Sequence, residues 1–151
     1  MVKAVMGIIL LVVGGSIYLL QRTTSLLMFQ VADGLGLTES VNRLRTMTTV
    51  WPEFVVYSLP GGLWAASYIL LVDAVFGGQV MLQRLAWASL IPMTGLVSEL
   101  LQALRLCPGT ADGWDALCYG LPFGAYLCYL MSYNKGRWKE GSLIREDAVV
   151  C

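Results

Sequence analysis

The chain has 151 residues, of which 57% are hydrophobic and only 13% charged, with ten basic and ten acidic side chains and no histidine. Soluble domains carry about 25% charged residues, so this chain lacks the charge to solvate a globular surface, and its neutral balance offers nucleic acid no partner. The absence of histidine removes the commonest general base and the commonest metal ligand.

The length suits a single domain over 1–151. The first apolar run, about 4–21, follows the basic start "MVK". It is long, and no small-residue cleavage site follows it, so it reads as a retained anchor rather than a removed leader. Residues 22–53 then form the longest hydrophilic segment, broken by Gly34 and Gly36. Thr38 is placed to cap a short helix there. Val41, Leu44 and Met47 recur on one face of it, with Arg43 and Arg45 off that face, as in a helix lying on a membrane surface.

Three more apolar runs follow at about 54–72, 85–104 and 115–134. Each is close to the roughly 20 residues that a helix needs to cross a bilayer. A backbone in lipid must satisfy its own hydrogen bonds, so the runs are expected to be helices. The predicted fold is therefore all-α, a bundle of four transmembrane helices with a short interfacial helix in the first loop and a polar, ragged tail over 135–151. Pro92 and Pro122 fall inside the third and fourth runs, where a proline can kink a helix.

Four spans put both termini on one side. With the termini in the cytoplasm, Lys3, Arg84, Lys135, Arg137, Lys139 and Arg145 are inside, and Arg22, Arg43, Arg45 and Arg105 are outside. The positive-inside rule favours that orientation by a small margin. Trp51, Trp87, Trp114 and Trp138 all lie near a predicted boundary, the depth that tryptophan prefers, whereas Trp64 sits further into the second span. Cys107, Cys118, Cys128 and Cys151 form no CxxC pair. They read as buried free thiols rather than as a zinc site, a redox motif or a disulfide.

The polar residues of the stretch "SELLQALRLCPGTADGWD" are the informative ones. Glu99 lies about five residues inside the third span, about 8 Å below the surface at the helical rise. An unpaired charge there costs about 3 kcal/mol or more. Gln102 is one turn on, Ser98 adjoins, and Arg105 at the interface can turn back toward the carboxylate. Pro108 and Gly109 make a turn. Thr110 or Asp112 then caps the last span, and Asp115 falls at the third helical position, where an acid matches the helix dipole. The second span opens on the same face with "SLPGGLW". Pro60 suits a first turn, and Gly61 and Gly62 admit close helix packing beside Trp64. On the opposite face Asp73 stands at a span end and needs no special explanation.

Two readings of this cluster stay open. One is a polar staple in which Glu99, Gln102 and the two aspartates join the third and fourth helices. The other is a shallow outer-face site formed by Glu99, Gln102, Arg105, Thr110, Asp112 and Asp115 with Arg43 and Arg45, able to hold a lipid head group, a cation or a cell-wall precursor.

The order "LLQRTTSLLMF", "SLPGGLW", "SELLQ" and "GTADGWD" resembles the VanZ-like family of small bacterial membrane proteins, over about Leu19 to Leu130. Gly61 stands where many relatives carry an acidic or polar residue. The resemblance implies a multi-span protein of the bacterial cytoplasmic membrane and an association with resistance to teicoplanin, an antibiotic acting on cell-wall precursors at the outer leaflet. It implies no catalytic residue, metal or cofactor. Membrane lipids and a lipid-linked or amphiphilic ligand are the expected partners, with a membrane-protein partner or a second copy as a further class. The alternatives are an intramembrane enzyme using Glu99 or Asp112 as acid/base, with magnesium held by Asp112 and Asp115, and an accessory subunit of a larger membrane complex.

Overall fold

The computed structural model describes residues 1–22, 27–49 and 51–147, and among these there is no strand. The elements are α1 (Val2–Gln21), α2 (Leu27–Gly34), α3 (Thr38–Met47), α4 (Glu53–Tyr57), α5 (Leu59–Phe76), α6 (Met81–Ala103) and α7 (Gly113–Asp147). The all-helical expectation is met. Two segments, Val2–Gln21 and Glu53–Phe76, are long and apolar enough to cross a membrane. Helix α6, which carries the third apolar run, is diluted by Gln83, Arg84, Ser98, Glu99 and Gln102.

The second run is broken at Ser58, between α4 and α5. Pro60 explains the break. It has no N–H to donate to the carbonyl of Val56, and its ring crowds that carbonyl. The chain therefore restarts its helix, with Pro60 tolerated in the new first turn. Helices α6 and α7 run unbroken through Pro92 and Pro122.

Two expectations for the polar segments are corrected. The 22–53 segment carries two helices rather than one, because α2 precedes α3, with Phe29 and Ala32 buried. The tail is not ragged over 135–147: α7 continues to Asp147. Lys, Glu, Leu and Arg are good helix formers, and no proline interrupts them. The predicted boundary residue Trp138 lies in a stretch whose side chains are outside the described set.

Helix α5 is the hub, packing against α1, α6 and α7. Small residues make this close packing feasible. A Cβ on Gly7 or Gly14 of α1 would come within 2.9 Å of Leu71 or 2.8 Å of Trp64 on α5, respectively. Ser67 also donates from Oγ to the carbonyl of Gly7 at 2.7 Å. The buried apolar cluster of Ile69, Ala88, Tyr126 and Leu130 joins α5, α6 and α7. It lies toward the end of the bundle where α1 and α6 begin and α5 finishes. Phe54 of α4 meets Trp114 of α7 at the other end, with ring centroids 5.7 Å apart, so the beginnings of the second and last apolar runs do share a face.

Candidate functional site

The turn between α6 and α7 is built by its two helix ends. Helix α6 closes when Leu106 N–H donates to Leu101 O and Arg105 N–H to Gln102 O, both at 2.9 Å. These paired bonds put Arg105 in the left-handed region, at φ 58°, a position glycine normally takes. Gly109, at φ 135°, makes the next bend, and a Cβ there would press on the Gln102 amide at 2.8 Å. Asp112 is the cap of α7, its Oδ1 accepting Trp114 N–H at 2.9 Å. Asp115 falls in the first turn, matching the positive end of the helix.

Glu99 closes the turn. Its Oε2 accepts the backbone N–H of Asp112 at 2.9 Å. Gln102 reaches back along its own helix to Ser98 Oγ at 3.4 Å, a long contact. Glu99, Gln102 and Asp115 are partly buried, while Arg105, Thr110 and Asp112 are exposed. The expected return of Arg105 to Glu99 is not seen, because its left-handed backbone occupies the helix end. Among the described residues the ion pairs are both on Asp73.

The two loop arginines are held elsewhere or stand exposed. Arg45 donates from Nη1 to Leu19 O at 3.1 Å and lies over the Phe29 ring at 5.1 Å. It thereby completes the carbonyl end of α1, where a cation is favoured. Arg43 is exposed. Neither arginine hydrogen-bonds to the Glu99–Asp115 group among the described residues. Thr38 is the first residue of α3 rather than its cap, and its hydroxyl donates to Asp33 Oδ1 at 2.9 Å. Leu44 and Met47 are exposed.

The packing residues are close to α7. A Cβ on Gly61 would meet the Tyr119 hydroxyl at 2.8 Å, and one on Gly62 would meet Cys118 at 2.9 Å. A Cβ on Gly95 of α6 would come within 2.7 Å of the Tyr119 ring. Pro60 is buried, and the Trp64 ring meets that of Tyr18 at a tilt, with centroids 5.3 Å apart. The Trp64 Nε1 and Ser58 Oγ are buried without a hydrogen-bond partner among the described residues. Cys107, Cys118 and Cys128 are free thiols, and Cys107 and Cys128 are exposed rather than buried as expected. Cys151 lies outside the described residues.

The strongest polar constellation is at the opposite end, and sequence reasoning passed over it. Asp73, 3% exposed, accepts at Oδ1 from Arg84 Nε at 3.1 Å, from Arg84 Nη2 at 2.5 Å and from the Tyr126 hydroxyl at 2.8 Å. Its Oδ2 accepts from Lys3 Nζ at 2.5 Å, and Lys3 also donates to the Tyr129 hydroxyl at 2.9 Å. Four helices thus meet on one carboxylate. The signal available was a lone acid at the end of one apolar run, with a lone base near the start of each of two others.

Among the described residues, no three of the Cys, Asp and Glu side chains converge to hold a metal ion. Comparison of the chain with protein-family models, with curated proteins and with solved structures finds no match.

Proposed function

We propose that the chain is a four-span, non-catalytic protein of the bacterial cytoplasmic membrane, VanZ-like in kind. Its carboxylate-edged outer face would meet a lipid head group, an amphiphile or a ligand related to the cell wall and its antibiotics. One observation carries the membrane part of this reading. Large apolar side chains stand exposed along the helices between the two polar ends, such as Ile8, Leu11 and Val12 on α1, Leu90 and Val97 on α6, and Leu121 on α7. Such a surface suits hydrocarbon and is rare in monomeric soluble proteins. The two segments already apolar enough to span supply half of the proposed bundle.

Support for a binding role at the outer face is the exposure of Thr110, Asp112 and Arg105 around a partly buried Glu99. The bond from Asp112 N–H to Glu99 favours the second reading, a staple that fixes the turn. The substitution Glu99→Gln separates the two, since its amide oxygen can still accept that N–H. With a ligand site, Glu99→Gln abolishes any protection against teicoplanin while the membrane abundance of the protein is unchanged. Protection that persists, or that falls only in step with abundance, assigns Glu99 to the staple.

A further inference from the structure

A cavity of about 320 Å³ lies beside Asp73, between α5 and α7, with Lys3 at its polar end. Its walls are Ala66, Ile69 and Leu70 on one side and Pro122 and Ala125 on the other. This volume is at the small end of the range for ligand sites. Ala125 and Tyr129 are exposed, so the cavity opens on the flank of the bundle rather than into its core. An apolar cavity with polar groups at one end suits an amphiphile.

The charge at the polar end selects the kind of amphiphile. Two cations, Lys3 and Arg84, face the single carboxylate of Asp73. Among the side chains described, no second acid stands at this end of the bundle. Arg84 is enclosed, with its side chain 5% exposed, whereas that of Lys3 is 42% exposed. Among the described side chains, the surplus positive charge is therefore presented at Lys3, beside the Tyr129 hydroxyl, at the mouth of the apolar trough. Burial explains the Arg84–Asp73 pair as a structural lock. Lys3 ties α1 to the same carboxylate, but Arg84 already supplies Asp73 with one full counter-charge, so the half-exposed Lys3 adds a second positive charge at the mouth of the apolar cavity.

We propose that this cleft binds an anionic phospholipid, with one acyl chain between α5 and α7 and the phosphate against Lys3 and Tyr129. The site is at the opposite end of the bundle from the Glu99 turn and is independent of any ligand there. It rests on the membrane reading of the chain. A lipid whose phosphate charge is cancelled by its own head group would gain the apolar contacts and forgo the charge. Free glycerol phosphate would have the charge and no chain.

The test is equilibrium binding to the full chain, purified in a neutral detergent. Phosphatidylglycerol, phosphatidylcholine and free glycerol 3-phosphate are titrated separately. The expected result is a preference for phosphatidylglycerol over phosphatidylcholine of about fivefold, what one lysine contributes against an anionic lipid surface, with no binding of glycerol 3-phosphate. Lys3→Gln removes that preference while phosphatidylcholine binding stays. Ala125→Phe, at the exposed rim, weakens both lipids and keeps the charge, and it decides the matter if Lys3→Gln does not fold. Equal binding of the two lipids by the unaltered protein, an undiminished preference in Lys3→Gln, or unchanged lipid binding in Ala125→Phe overturns the proposal. So does binding of glycerol 3-phosphate alone. A chain that stays soluble and folded without detergent fails the membrane reading instead, which the lipid titration does not decide.

Discussion

Single residues in this chain are constrained by the helix ends they close. Gly36 and Arg105 occupy equivalent positions, each just past a helix, at φ 68° and 58°. Glycine takes that conformation without strain, whereas a residue with a Cβ loses about 1 kcal/mol. Arg105→Gly is therefore expected to raise stability by about 1 kcal/mol, read from unfolding in detergent; an unchanged or lowered stability would show that the arginine side chain supplies a compensating contact. Asp112 is the converse case, a cap with a partner in place. Asp112→Ala should cost about 1 kcal/mol by the same measurement. The cap, the turn and the acid in the first turn were legible from residue type and spacing alone. The direction of Arg105 was not, because the backbone of a helix end, rather than charge attraction, decides where its side chain goes.

Helices here pack through their glycines and lock through one carboxylate. The ring of Tyr119 is wedged between Gly61 and Gly95. Gly95→Ala would bring a Cβ within 2.7 Å of that ring and is expected to destabilise the bundle by about 1–3 kcal/mol, the cost of overpacking. The Asp73 lock is stiffer. Asp73→Asn leaves Arg84 enclosed without a counter-charge, and removing one member of a buried pair costs about 3–5 kcal/mol. Replacing both, as Asp73→Leu with Arg84→Met, should cost less than Asp73→Asn alone, and a double-mutant cycle measures the coupling. Additive losses would mean that the two side chains act independently. Gly61 and Gly62 could be read as packing residues because glycine pairs in apolar runs have few other uses. Asp73 could not be read as a hub. Its partners lie at positions 3, 84 and 126, and only the antiparallel arrangement of the helices brings them to one point.

The molecule as a whole is a set of helices with polar groups at both ends and apolar side chains exposed between. Two of the four expected apolar runs form segments long and apolar enough to span a membrane, and the helical character of the runs was readable from hydropathy. The break at Ser58, the added helix α2 and the extension of α7 were not, because hydropathy is silent on polar segments and on where a proline resets a helix. In the proposed four-span protein the α6–α7 turn and the α5–α6 turn lie on opposite sides of the membrane. Cys107 is an exposed thiol in the first, and Gly78 is an exposed position in the second. Two single-cysteine proteins, one keeping Cys107 and one carrying Gly78→Cys, are treated in intact bacterial cells with a membrane-impermeant maleimide. That placement requires labelling of Cys107 in intact cells and of the Gly78→Cys protein only after permeabilisation. Labelling of both without permeabilisation, or of neither until the cells are opened, would contradict it.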